Sequence, residues 1–224
     1  MNIVNFKKAF VLTIPVFLGY IFLGMAFGIL VVTNGFSIDV SFLSSSLIYA
    51  GSMQFALMAF LKENASLISI LVMTFFINSR HMFYGLSLVE RYNNMGKLKP
   101  YMIFSLTDET YALICSLKGK KDYENNSILF LISLLNQIYW VIGGLIGSIV
   151  GSVIPFNATG IDFAMTALFV SIVVDQYRNS EDHFPFYVGI LSGIICLIIF
   201  KANNFLLPSL ILSVLILIIR NKKL

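Results

Sequence analysis

Two pairs of adjacent ionisable residues sit where an otherwise apolar chain has least room for them. Arg80 and His81 lie within FFINSRHMFYGL at 75–86, and Asp108 and Glu109 lie within FSLTDETYALI at 104–114. A guanidinium can clamp a carboxylate, a carboxylate can hold an ammonium group or a proton, and an imidazole can titrate near neutrality. Together they could bind a zwitterion or relay protons. An arginine and an acid could equally form a static ion pair that locks two helices. Helical spacing sorts the residues. Asn78, His81 and Gly85 share one face, and Arg80 and Tyr84 an adjacent one. Asp108 and Glu109 are about 100° apart, so one acid can hold Arg80 while the other faces a cavity.

The segments carrying these groups make them informative. Of 224 residues, 58% are hydrophobic and 12% charged, with a mean hydropathy of +0.88. A soluble domain carries about 25% charged residues, so the chain reads as a polytopic membrane protein. Eight apolar segments recur, at about 9–32, 40–61, 66–89, 100–117, 127–154, 161–176, 185–200 and 205–219. The two charged clusters fall near the centres of the third and fourth. An ionised Asp, Arg or Lys at a helix centre costs about 2.5–3.5 kcal/mol, and each Leu, Ile or Phe returns about 0.3–0.6. With about seven strong apolar residues against two acids, segment 100–117 is marginal alone and needs Arg80 or water beside it.

The expected fold is all-α and polytopic, with seven or eight hydrophobic helices, broken or re-entrant ones among them. Segment 161–176 has an apolar core short enough for a broken or re-entrant helix. Segment 40–61, with Ser41, Ser44, Ser45, Ser46, Gly51, Ser52 and Gln54, is polar for a lipid-facing span. Pro100, Pro185 and Pro208 mark segment beginnings, and Pro155 ends the fifth segment. A single transporter domain over 1–224 is expected. A Gly-rich helix followed by a loop with G-F-S-I-D or T-G-I-D-F suggests two repeats, about 9–117 and 127–219. They would be inverted if each second segment is re-entrant and parallel if both cross; chance similarity between Gly-rich helices is the alternative. The Gly24/Gly28, Gly143/Gly147/Gly151 and Gly189/Gly193 spacings read as close helix packing.

With eight crossings, Lys7, Lys8, Lys62, Lys118, Lys120, Lys121, Arg178, Arg220, Lys222 and Lys223 fall on one side. Arg91, Lys97, Lys99 and Lys201 fall on the other. This places both termini in the cytoplasm, although the 89–100 loop argues against it. The first apolar run reads as a retained helix and not a leader. Cys115 and Cys196 suggest neither a disulfide framework nor a metal pair.

Arg80, His81, Asp108, Glu109 and Asn78 are the main candidates for substrate binding or proton coupling. Gln54, Ser52 and Thr107 join them as polar groups in the neighbouring segments. Gln54, Asn136 and Gln137 could instead only tie helices together. Asp162 reads as a helix N-cap, and His183 as solvated. Enzyme motifs and a nucleotide-binding domain are missing from the sequence. No enzyme activity, metal or cofactor is therefore expected, and uphill movement would draw on an ion gradient. A channel-like or accessory subunit is the rival reading.

Five ordered pieces then resemble the AzlC family of branched-chain amino-acid permeases. They are Pro15 with A-F-G at 26–28, Y-A-G-S-M-Q-F at 49–55, N-S-R-H-M-F-Y at 78–84, L-T-D-E-T-Y at 106–111 and G-I-D-F-A-M-T-A-L-F at 160–169. The resemblance implies export of leucine, isoleucine, valine and their analogues across a bacterial cytoplasmic membrane. It also implies a small hydrophobic AzlD-like partner subunit. For such a substrate, Arg80 would meet the carboxylate and Asp108 or Glu109 the amine.

Overall fold

The computed structural model describes residues 3–120, 125–153 and 162–221. Pro155, Gly160, Lys121, Lys222 and Lys223, on which parts of the sequence reading rest, lie outside them, as does the Asp162 side chain. Every described element is helical. In chain order they are α1 (Ile3–Thr33), α2 (Ile38–Leu43) running into a π-helical turn (Ser44–Ile48), α3 (Gly51–Lys62) and α4 (Leu67–Asn93). A 3-10 turn (Gly96–Leu98) leads to α5 (Lys99–Phe104), α6 (Asp108–Ser116), α7 (Asn126–Val153), α8 (Asp162–Asn179), α9 (Phe184–Asn204) and α10 (Leu206–Asn221). Among the described residues, Ile3–Thr33, Leu67–Asn93, Asn126–Val153 and Phe184–Lys201 are long and apolar enough to cross a membrane. Leu67, Ile68, Leu71, Phe75, Met82 and Phe83 of α4 are all exposed, as side chains facing lipid would be.

The chain divides into two compact units. One holds Met1–Ala65 and Thr74–Thr166, the other Ser66–Met73 and Ala167–Leu224. The first unit is built on the crossing of α1 and α7. Going along both helices, Phe17 meets Tyr139, Tyr20 meets Trp140, Gly24 meets Gly143 and Ile29 meets Gly151, so the two run in the same direction. Their approach is closer than a side chain allows. A Cβ on Gly24 would lie 2.9 Å from the Trp140 carbonyl oxygen, and one on Gly28 or Gly147 would collide with the carbonyl oxygen of Gly144 or Met25. Packing is thus the role of these five glycines. Gly189 and Gly193 differ, because nothing lies within 4 Å of a Cβ built on either.

Segments 40–61 and 100–117 do not cross as single spans; each folds back as a hairpin. In the first hairpin, Ser41 of α2 donates to the Gly144 carbonyl and Gln137 donates to the Ser46 carbonyl, so the chain runs against α7. After the tip, Gln54 meets Trp140 and Phe55 meets Phe27, so α3 returns the way α2 came. In the second hairpin, α5 enters with Lys99 beside Asn93 and Tyr101 against Gln137. Then α6 returns, with Asp108 beside Arg80, Tyr111 on Tyr84 and the Ile114 carbonyl at Arg91. The hairpins enter from opposite ends of α7, and Tyr49 and Phe104 near their tips pack at 6.3 Å. A backbone at membrane depth must satisfy its polar groups internally or line a polar cavity, and the serine-rich first hairpin and the two acids of the second fit that requirement. Segment 161–176, short enough for a broken or re-entrant helix, lies in α8, one helix of 18 residues.

In the second unit α9 and α10 form an antiparallel pair. Arg220, in the last turn of α10, binds Asp182 at 2.9 Å and lies 4.2 Å over the Phe184 ring at the start of α9. His183, expected to be merely solvated, bonds through Nε2 to the Tyr177 carbonyl at 3.0 Å.

Candidate functional site

Both hairpin tips interrupt a helix, and each interruption starts a new one. In the first, Tyr49 adopts a left-handed conformation (φ 45, ψ 47), its N–H bonding back to the Ser44 carbonyl and closing the π turn. Left-handed geometry costs a non-glycine residue about 1–2 kcal/mol, which the buried Tyr49 ring offsets by packing. α3 then begins at Gly51. In the second, Thr107 caps α6, its Oγ1 accepting from the Thr110 N–H at 3.3 Å. Asp108 and Glu109 occupy the first turn, where acids are favourable against the helix dipole.

Arg80 stands between these two starts. Its Nη1 lies 2.8 Å from Asp108 Oδ2, and its Nη2 donates to Ser52 Oγ at 2.8 Å. Both charged side chains are largely enclosed, at 19% and 31% exposure. Arg80 Nε and Asn78 Oδ1 are buried without a hydrogen-bond partner among the described residues, and the Tyr84 hydroxyl lies beside the Asp108 carboxylate. Three of the expected residues, Ser52, Arg80 and Asp108, therefore surround one polar point, while Asn78 lies two positions before Arg80 on α4 and so on another face of that helix. His81 packs its ring near Tyr84, at 5.9 Å, and Tyr84 stacks on Tyr111 at 4.3 Å. Glu109 does not join Arg80. Its Oε2 lies 2.6 Å from the Tyr20 hydroxyl, which is also 2.7 Å from Thr107 Oγ1.

α7 holds both hairpins from behind. Asn136 donates to Thr110 Oγ1 at 2.9 Å, Gln137 to the Ser46 carbonyl at 3.0 Å, and Trp140 Nε1 to Gln54 Oε1 at 3.0 Å. These bonds tie helices together, and Gln54 is fully buried in one. Ser105, near the acids in sequence, bonds to the Tyr101 carbonyl and ends α5.

Two tyrosines were missing from the sequence reading. Tyr20 lies in the first apolar run, where tyrosine passes for core; a buried hydroxyl still needs a partner, and that rule is the signal that could have found it. Tyr49 carries the left-handed turn and a buried hydroxyl beside Tyr20 and Thr107, and nothing in its local sequence marks either.

Residues 15–154 match the family described as AzlC protein. An uncharacterized membrane protein of Helicobacter pylori (strain J99) is 40% identical over 219 residues, 98% of this chain and 96% of its own. The branched-chain amino acid transport protein AzlC of Bacillus subtilis (strain 168) is 37% identical over 206 residues, 92% of this chain and 81% of its own. The inner membrane protein YgaZ of Escherichia coli K12 is 28% identical over 207 residues, 82% of this chain and 84% of its own. No solved structure matches the chain.

Proposed function

This chain belongs to the AzlC family of membrane transport proteins, and from that premise we propose that it is a proton-coupled secondary transporter exporting branched-chain amino acids. The observation that carries this reading is Arg80 held between the first turns of α3 and α6. Helix starts present unpaired N–H groups and a partial positive charge. Arg80 and Asp108 nearly neutralise each other, so the two helix starts leave the point between them favourable for an anion. A substrate carboxylate would be read by Arg80 Nε, Ser52 and the first-turn amides of α3. Its ammonium group would take the Asp108 carboxylate, which Arg80 Nη1 holds at 2.8 Å. Discontinuous helices meeting at mid-membrane are a recurrent way to bind small zwitterions. Phe76 and Met53, near the same point in sequence, are apolar groups suited to a branched side chain.

The hairpins also bear on orientation. If they re-enter, Lys7, Lys8, Arg91, Lys97, Lys99, Lys118 and Lys120 fall on one side of the first unit and Lys62 alone on the other. That division is sharper than the one expected for eight crossings, because the 89–100 loop now joins the basic side. We place that side and the N-terminus in the cytoplasm of the cell bearing this cytoplasmic-membrane protein. The 1–224 chain then acts as one transporter domain, its small AzlD-like partner lying alongside.

The test is efflux of preloaded labelled leucine from cells expressing the chain with that partner, at matched membrane levels. Wild type should export saturably and in proportion to the proton gradient, while Arg80→Ala and Asp108→Asn should lose export. Leucine flux unchanged in both variants would remove Arg80 from the transport site. No leucine flux in wild type would remove the substrate.

A further inference from the structure

The mechanism above uses Arg80 and Asp108 and leaves Glu109 unassigned. We infer that Glu109 is the residue that takes up and releases the coupling proton, with Tyr20 and Thr107 as a hydroxyl relay that carries its charge state to the tip of the second hairpin. This rests on the proposed transport function and names the proton site within it.

The geometry separates the two acids. Asp108 has a guanidinium 2.8 Å away as its partner. Among the described residues no cation pairs with the Glu109 carboxyl; its partner is the hydroxyl of Tyr20, a residue only 4% exposed. Yet Glu109 keeps an edge on the surface of the first unit. An ionised carboxylate turned toward hydrocarbon at this depth is costly. It must therefore either meet water or be neutral, which suits a group that alternates.

The groups facing Glu109 are few. α1 contributes Tyr20, the first hairpin tip contributes Tyr49, α6 itself contributes Asp108, and α4 contributes Arg80, with His81 beside Asp108 and Arg80. Arg80 is already committed to Asp108 and Ser52. α7 contributes the neutral Asn136, through Thr110.

Tyr20 has one hydroxyl proton and two oxygen partners, at 2.6 and 2.7 Å. Thr107 Oγ1 in turn lies 3.0 Å from Thr110 Oγ1. These distances admit two arrangements. With Glu109 neutral, its carboxyl proton is donated to the Tyr20 oxygen, Tyr20 donates to Thr107, and Thr107 donates to Thr110. When the carboxyl proton leaves to water from the exposed edge, the carboxylate accepts from Tyr20, and the Thr107 hydroxyl rotates to donate to Tyr20. Only the carboxyl O–H bond breaks; the other protons turn with their hydroxyls. Thr107 is the N-cap of α6, so the switch ends on the residue that fixes the second hairpin tip. Tyr49, whose buried hydroxyl lies beside Tyr20 and Thr107, places the first tip beside the same carboxyl.

The test needs no substrate. Purified full-length chain in phosphatidylethanolamine/phosphatidylglycerol vesicles is titrated while infrared difference spectra follow the C=O stretch of a protonated carboxyl. We expect one band that titrates with pH, disappears in Glu109→Gln and remains in Asp108→Asn. Tyr20→Phe, which removes a donor to the charged form, should raise the midpoint by about one pH unit. In leucine efflux, Glu109→Gln should retain exchange but lose its dependence on the proton gradient. A titrating band that survives Glu109→Gln, one lost in Asp108→Asn, or no band at any pH would overturn the assignment. A normal band with no leucine flux would instead spare it and reject the substrate.

Discussion

Arg80 Nη1 lies 2.8 Å from Asp108 Oδ2, while Nη2 of the same guanidinium reaches Ser52 Oγ at 2.8 Å. One planar fork thus bridges the tips of two hairpins that enter from opposite ends of α7. Arg80→Lys keeps the charge but replaces the fork with a point donor, which cannot serve both tips at those distances. Leucine export in Arg80→Lys should fall about tenfold, the equivalent of about 1.4 kcal/mol. Arg80→Ala, which leaves Asp108 without its cation, should also unfold more easily by about 1–3 kcal/mol, below the range for a fully buried pair because both groups are partly exposed. Thermal unfolding in detergent separates these outcomes. Adding Asp108→Asn to Arg80→Ala should restore much of the stability and none of the export.

The glycines make a contrast that thermal unfolding can also read. Gly28→Ala and Gly147→Ala place a methyl against backbone carbonyls across the α1–α7 crossing, where neither helix can yield locally. Each should cost about 1–3 kcal/mol or abolish insertion. Gly189→Ala and Gly193→Ala meet open space and gain helix propensity of up to about 1 kcal/mol. If all four behave alike, the close α1–α7 approach is not what the first unit rests on.

The contrast shows where sequence reasoning reached and where it stopped. Small-residue spacing is one-dimensional and survives folding, so Gly24, Gly28, Gly143, Gly147 and Gly151 could be read directly. Gly189 and Gly193 have the same spacing and nothing opposite within the chain; pattern alone cannot say what a face meets. The partnership of Arg80 with an acid was legible because insertion costs force it, although the choice of Asp108 over Glu109 needed three dimensions. Re-entry of 40–61 was one of two alternatives the sequence left open, and the second hairpin, in 100–117, was not placed. A helix break is expected at Gly or Pro, but the first turns on Tyr49 in a left-handed conformation and the second on Ser105, Leu106 and Thr107. Both breaks are specified by what surrounds them, including Gln137 at the Ser46 carbonyl and Asn136 at Thr110, contacts about 90 and 26 residues away in the chain.

Acid should loosen the α9–α10 pair at one point. Asp182 accepts from the Phe184 N–H at 3.0 Å and from Arg220 at 2.9 Å. That backbone bond, with Arg220 adding to it, holds the carboxyl below the usual aspartate range. A carboxyl depressed on folding contributes stability that is present above its unfolded value of about 3.9 and lost as pH falls through its folded value. Protection of the Phe184 amide, its exchange rate relative to that of an open amide at the same pH, should therefore be high at neutral pH and fall in strong acid. Asp182→Asn should exchange faster at neutral pH and lose most of that dependence. An Asp182→Asn profile that parallels wild type across the range would show that the clamp is not closed by the carboxylate.

Trp140 offers a direct view of the first hairpin, because it is the single tryptophan in the chain. Its ring is 3% exposed, edge-on to Tyr20 at 5.4 Å and stacked with Phe27 at 6.3 Å. Its Nε1 donates to Gln54, and Gly51 at the start of α3 lies against its six-membered ring. Any movement of α3 that accompanies a carboxylate at Ser52 and Arg80 must change this surrounding. Adding leucine to the purified chain should shift or quench Trp140 emission with saturable dependence on concentration, and glycine, which lacks the branched side chain, should do so only at much higher concentration. Gln54→Leu should alter the starting spectrum, by removing the bond to Nε1, while retaining a leucine response. Arg80→Ala should keep the starting spectrum close to wild type and lose the response. A full leucine response in Arg80→Ala would place substrate recognition away from the hairpin tips, however well the transporter works.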